Sequence, residues 1–183
     1  MEQNHPKHWL ILTQYFPPEI GAPQIRLASM IEELKKHNIN PTVLTAMPNY
    51  PKGKLFKGYK NKFLINEKYN DVSVKRTWIY AATGKSAIPR LANYLSFTLT
   101  AALAALTGPK PEVIFLESQP LSLGIVALLM KWIRNVPYIY NIPDLQIEVA
   151  KQMNFMDNKV FLKLSHSLET YLMKNSWKVS TVT

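Results

Sequence analysis

Trp9-Leu10-Ile11-Leu12-Thr13-Gln14-Tyr15-Phe16-Pro17-Pro18-Glu19-Ile20-Gly21-Ala22-Pro23-Gln24-Ile25-Arg26 passes from an apolar run, through a proline-braced loop, into an amphipathic segment. The run reads as a buried strand and the segment as a helix entered at Gly21-Ala22-Pro23. Pro23 suits a first helical turn, where its missing N–H would have no partner anyway. A loop and a helix N-terminus thus stand at the carboxyl end of a strand, where open α/β sheets bind their ligands.

Outward from that stretch, the two periodicities of regular structure alternate. The helix from about Pro23 to His37 places Leu27, Met30, Ile31 and Leu34 on one face. Pro41–Thr45 reads as a second strand, and a long irregular segment follows from Ala46 to Asn61. Phe63–Ile65 and Val72–Tyr80 read as short strands joined around Asn70-Asp71. A helix from about Ile88 to Leu106 ends at Gly108-Pro109, a stop signal. Glu112–Leu116 and Tyr138–Asn141 are strands, Leu121–Arg134 and Asn158–Lys174 helices, and Lys178–Thr183 a last strand. Strands alternating with helices predict a Rossmann-like, doubly wound and mainly parallel sheet with helices on both faces. The strands are near-continuous apolar runs, as sheets covered on both sides require.

The 183 residues fit one domain. No cysteine occurs, so disulfides and thiolate metal sites are excluded and a reducing compartment is expected. The first apolar run is too short for a signal peptide. The longest, Tyr94–Leu106, is broken by Ser96, Thr98 and Thr100 and falls short of the roughly 18 residues of a spanning helix. That helix reads as core, with a membrane-facing role as the alternative. A net charge of +10 points to an anionic partner: nucleic acid, an anionic membrane or a phosphorylated substrate. Lys52, Lys54, Lys57, Lys60 and Lys62 crowd one acid-free segment and alternate with Leu55, Phe56, Tyr59 and Phe63. A solvated basic loop and a membrane-surface patch both fit, and the interleaved aromatics favour the patch over nucleic acid.

At the switch point of such a sheet, the loops Gln14–Ala22, Glu117–Pro120 and Asn141–Glu148 should converge. They would bring Glu19, Glu117, Asp144 and Glu148 to one crevice, with Arg26 in the adjoining helix; Asp144 as a turn cap is the alternative. The first loop has one glycine rather than a dinucleotide fingerprint, and there is no P-loop. His5, His8, His37 and His166 lack metal-ligand spacing, and Ser118 and Ser122 lack a nucleophile elbow.

Tyr15-Phe16-Pro17-Pro18-Glu19-Ile20-Gly21-Ala22 with Arg26, then Thr45-Ala46-Met47-Pro48-Asn49-Tyr50-Pro51-Lys52-Gly53, then Asp144-Leu145, resemble the amino-terminal domain of bacterial family-four glycosyltransferases of the GT-B fold. The branch is similar to transferases of capsule, O-antigen or colanic acid synthesis, fucosamine transferases among them. The resemblance spans nearly all 183 residues. It implies that residues 1–183 are the acceptor-side half of a two-domain enzyme, whose carboxyl-terminal nucleotide-sugar domain is absent from this chain. It implies retaining transfer of a sugar from a nucleotide-sugar, UDP-linked by expectation, to a polyprenyl-pyrophosphate-linked saccharide, with no metal or further cofactor. Gly21, Ala22 and Arg26 would border the donor phosphate and sugar; Asn49, Tyr50 and Glu117 the acceptor; Asp144 and Glu148 the reacting sugar. The five lysines would face an anionic membrane, placing the protein at the cytoplasmic side of the plasma membrane.

The chain departs from the pattern twice. Ala22 replaces a second glycine, and Asp144-Leu145-Gln146-Ile147-Glu148 replaces Asp-Leu-Trp-Pro-Glu with the carboxylates at unchanged spacing. Half of a GT-B nucleotide-sugar epimerase and a non-enzymatic membrane- or polyanion-binding module are the alternatives. The chain stops on a strand, as a piece of a longer protein would, and alone is expected to be inactive.

Overall fold

The opening apolar run becomes β1 (Lys7–Leu12), the central strand of a seven-stranded sheet. A computed structural model describes residues 7–60, 62–83, 86–143 and 159–181. After β1 come α1 (Ala22–Lys36), β2 (Ile39–Ala46), β3 (Leu64–Tyr69), β4 (Val72–Thr77) and α2 (Ala87–Thr107). They are followed by β5 (Val113–Glu117), α3 (Leu123–Arg134), β6 (Tyr138–Ile142), α4 (Lys159–Asn175) and β7 (Lys178–Thr181). The sheet order is β3-β4-β2-β1-β5-β6-β7. All neighbours pair in parallel except β3 with β4. The expected Rossmann-like, doubly wound sheet is what forms, and its switch point falls between β1 and β5.

The inner strands alternate their side chains between two cores. On one face Ile11, Val43, Val74 and Phe115 pack against Leu27 and Ile31 of α1. On the other Leu12, Leu44, Leu116 and Tyr140 pack against Phe97 and Ala101 of α2 and Val126 and Met130 of α3. Leu172 docks α4 on this same side: a Cβ on Gly124 would meet Leu172 Cδ1 at 2.2 Å, so α3 needs glycine there. The Tyr138 hydroxyl donates to the Leu172 carbonyl at 2.6 Å, closing the joint.

Several boundaries differ from the sequence reading, each for a local reason. β3 runs on to Tyr69 because Asn70 and Asp71 both adopt positive φ, 45° and 66°. That is the two-residue hairpin turn that matches strand twist, and it fixes Tyr69 opposite Val72. β4 ends at Thr77, where its pairing with Ala46 ends and the chain swings onto α2. α3 starts at Leu123 rather than Leu121 because Leu123, Gly124 and Ile125 donate to carbonyls three residues back, a tight turn before the helix. The segment Asp144–Glu148, with both proposed catalytic carboxylates, lies outside the described residues.

Candidate functional site

The loop after β1 is tied to its surroundings from its first residue. The Thr13 N–H donates to the Leu44 carbonyl at 3.2 Å, and Thr45 Oγ1 donates to the Gln14 carbonyl at 3.0 Å. Gln14 Nε2 donates to Asn93 Oδ1 at 2.9 Å, binding the loop to α2. Glu19 then turns back inward. Its Oε2 accepts from the Phe16 N–H at 3.3 Å, and its Oε1 accepts from the Asn49 and Tyr50 N–H groups at 2.8 Å each. One carboxylate thus joins the loop after β1 to the Pro48-Asn49-Tyr50-Pro51 element after β2. Glu19 was expected to come to one crevice with Glu117; its carboxylate is instead turned onto backbone N–H groups, and the residue is 2% exposed. Burial pushes its carboxyl above the usual range, and the three N–H groups and the charge of Arg76 pull the other way.

Arg26 and Glu117 do come together across the switch point. Arg26 Nη2 donates to Glu117 Oε1 at 3.0 Å and to Oε2 at 2.9 Å. Asn141 Nδ2 donates to Glu117 Oε1 at 2.9 Å, from the position that the β5–β6 register sets directly opposite. Glu117 is 4% exposed, so its carboxylate lies buried beneath the guanidinium. The Arg26 side chain remains 30% exposed. Burial raises the Glu117 carboxyl, opposed by the Arg26 charge and by the hydrogen bonds from Asn141 and Arg26. The first turn of α1 contributes the rest of this wall. Gly21 is its N-cap in extended backbone, with no side-chain cap, and Ala22 opens the helix. The place of a side chain at Gly21 is taken by buried Gln24, whose Oε1 would lie 2.6 Å from an added Cβ, while Ala22 is exposed at the helix N-terminus, where an anion is stabilised.

Asn49 is 5% exposed, and its Nδ2 donates to the Met47 carbonyl at 2.9 Å, so its side chain braces its own turn. Tyr50 is 45% exposed and meets Tyr15 edge to face at 5.4 Å between ring centres. The Tyr15 phenol is pushed up by burial, then by Tyr94 and by the carboxylate of Glu19. A groove of about 440 Å3, bordered by Pro17, Pro18, Gln24, Ile25 and Tyr69, lies behind this loop; its lining includes neither Arg26 nor Glu117.

All five lysines are exposed, but the residues between them are not a free patch. Leu55 and Tyr59 pack on the core, and Tyr59 donates to Glu67 Oε2 at 3.1 Å. Gly53, at φ 62°, allows a close approach in which an added Cβ would lie 1.8 Å from the Ala82 carbonyl oxygen. Phe63 is the aromatic left outside, 60% exposed.

Sequence reading missed Arg76. It is 1% exposed, pairs with Glu67 through Nε, and donates to the Ala46 carbonyl at 3.3 Å and to the Pro17 carbonyl. It therefore holds both loops of the wall from below. The signal was present: Val72, Val74 and Arg76 alternate onto one face of β4, so a cation occupies an inward position.

No family model matches the sequence, and no curated protein does. Among solved structures, the chain is similar to the catalytic domain of starch synthase IV from Arabidopsis thaliana bound to ADP and acarbose. The TM-score is 0.52 at 13% sequence identity, over 75% of this chain and 34% of that one. The fold is shared with a GT-B glycosyltransferase domain. This chain spans about a third of that neighbour's length.

Proposed function

We propose that this chain is the acceptor-side half of a retaining glycosyltransferase of the GT-B fold. The observation that carries the reading is the Glu19 carboxylate, which fastens two of the three sequence elements that resemble such enzymes into one wall. The shared fold supports it, since the neighbouring structure is a sugar-transferring domain.

In this reading the wall works by placement and charge. The N-terminus of α1 and the exposed part of Arg26 offer positive charge to the pyrophosphate of a nucleotide-sugar, UDP-linked in this proposal. Glu117 aims the guanidinium, and Ala22, small and exposed, lets the sugar approach the backbone. Asn49 keeps the acceptor loop in shape, and Tyr50 presents its ring to a polyprenyl-pyrophosphate-linked saccharide. Asp144 and Glu148 would act at the reacting sugar. The exposed lysines lie toward the anionic inner face of a plasma membrane, where an acceptor of surface polysaccharide synthesis is found. The other wall of the cleft, with the nucleotide-binding residues, belongs to a second Rossmann-like domain.

The test is transfer of labelled sugar from a nucleotide-sugar to lipid-linked saccharide by the full-length protein. Arg26→Ala is expected to lower kcat/KM by about 10²-fold, the scale for losing a charge aimed at a reacting phosphate. The isolated 183-residue chain should show no transfer. Turnover by the isolated chain, or full activity in Arg26→Ala, would overturn the proposal.

A further inference from the structure

Helix α2 carries a second feature that the core does not use. Asn93, Phe97, Thr100, Ala101 and Ala105 are buried against the sheet and α3, which accounts for one side of the helix. On the other side Ile88, Leu91, Leu95, Leu99 and Leu103 are exposed by 80, 37, 43, 67 and 58%. Spaced by three, four, four and four residues, they form one stripe about 120° wide and about 22 Å long. Isolated exposed leucines are ordinary, whereas a continuous aliphatic row of this length marks a surface that something covers.

Charge identifies what covers it. Between Leu34 and Pro111 the sequence holds two acids, Glu67 and Asp71. Glu67 is bound to Arg76 and Tyr59, and Asp71 lies in the hairpin turn at the start of β4, far along the sheet from the crevice rim. The stripe itself is acid-free, with Arg90 in the first turn of its helix. The lysine segment is joined to α2 through a chain of contacts. Trp78 donates to the Phe63 carbonyl at 2.8 Å, Thr100 Oγ1 donates to the Trp78 carbonyl at 2.7 Å, and Gly53 abuts Ala82. Phe63, beside Lys62 in the sequence, is 60% exposed. An acid-free row of aliphatic side chains on a helix joined to a cluster of cations is complementary to an anionic lipid surface, with apolar groups entering the acyl boundary and lysines among the headgroups. Protein-binding surfaces concentrate Trp, Tyr and Arg, and leucine is under-represented among their dominant residues. No described helix is long and apolar enough to cross the membrane, so the contact is one of lying on the surface.

We infer that the outer face of α2, from Ile88 to Leu103, is the surface by which this chain rests on an anionic bilayer. This deepens the membrane part of the reading above, moving the apolar contact from the aromatics of the lysine loop to α2. Asn93 on the buried side of the helix holds Gln14 at 2.9 Å, and its Nδ2 donates to the Tyr80 carbonyl at 2.7 Å. Docking through α2 therefore holds the loop after β1, and the crevice it borders, at the height of the headgroups.

Sedimentation of the 183-residue chain with phosphatidylcholine vesicles, with and without 30 mol% phosphatidylglycerol as a probe (about a third anionic lipid), tests the inference. Binding is expected on the anionic vesicles, and Leu99→Glu/Leu103→Glu should weaken it at least tenfold (roughly, for two aliphatic groups withdrawn). Because the chain has no cysteine, Leu99→Cys carrying a polarity-sensitive dye gives a reading that does not need the glutamates tolerated. Its emission should shift to the blue on anionic vesicles, while the same dye at Ser29→Cys, on α1 across the sheet, should not. Equal shifts at both positions, no vesicle binding, or unchanged binding by the double variant would overturn the inference. So would a dimer of the parent chain that the double variant converts to monomer without change in vesicle binding, since a second copy would then cover the stripe. Transfer by the full-length enzyme to a detergent-solubilised acceptor is read separately, so loss of docking and loss of the transferase reading are distinct results.

Discussion

Glu19, in the loop after β1, and Glu117, at the end of neighbouring β5, are 2% and 4% exposed, yet they are satisfied in opposite ways. Glu19 is held by three backbone N–H groups from two loops. Glu117 is held by two side chains, Arg26 from a helix and Asn141 from the next strand. Backbone donors cannot be exchanged by mutation and cannot swing away, so the Glu19 arrangement fixes the shape of the chain. Side-chain donors can move, and one of the two partners of Glu117 is still open to solvent. The first carboxylate builds the wall. The second leaves a cation at its surface with a counter-charge beneath it.

Removing the first carboxylate should have the larger effect. Glu19→Ala strands three N–H groups, and an unmet buried donor costs about 1–3 kcal/mol. Water reaches Tyr50, which is half exposed, so the expected loss is about 3 kcal/mol rather than the full sum. Urea denaturation with far-UV circular dichroism reads it. Glu19→Gln should lose less: its remaining oxygen can accept from Asn49 and Tyr50, while its NH2 faces the Phe16 N–H, donor against donor. If Glu19→Ala unfolds within about 0.5 kcal/mol of the parent, as an ordinary surface substitution does, the loops are held together by something else.

The same contrast explains what could be read from the sequence. The parallel sheet was legible because its strands are continuous apolar runs and its turns are marked by Gly, Pro and Asn-Asp. Arg26 and Glu117 were legible as neighbours because topology alone brings the end of one strand beside the helix that follows another. The partners of Glu19 were not legible because they lie on a loop thirty residues away that folds back over it, and no local pattern encodes that meeting. Arg76 was missed although its period-two position was visible, because a cation among strand residues reads as solvent-facing until its inward neighbours are counted. The apolar surplus of α2 was legible as a quantity. Its division into a buried and an exposed side required the sheet and α3 to be in place.

A double-mutant cycle on Arg26 and Glu117 sharpens the other half of the comparison. Arg26→Ala leaves Glu117 buried with Asn141 as its donor, and Glu117→Ala leaves Arg26 free to turn into solvent. Arg26→Ala is therefore expected to cost more than its exposure suggests, about 1–2 kcal/mol. The double variant should cost less than the sum of the two by about 1 kcal/mol. Additive losses by thermal or urea unfolding would mean that the pair does not act as one unit.

The smallest effect is the most selective. Burial holds the Glu117 carboxyl above its unfolded value of about 4.3. As pH rises past that value the unfolded chain gives up its proton first, so stability falls until the raised folded value is passed and is flat above it. Glu117→Gln cannot ionise and should gain on the parent across that window. Arg26 exerts the largest pull lowering the folded value, so Arg26→Ala should push the Glu117 carboxyl further up and widen the window. The Glu19 carboxyl, raised by burial and opposed by backbone N–H groups and Arg76, should keep its own titration in that variant. Carboxyl 13C chemical shifts followed against pH resolve the two residues. A Glu117 curve that is unchanged by Arg26→Ala would uncouple the guanidinium from the carboxylate beneath it, and the crevice would then hold an unaimed arginine over a buried acid.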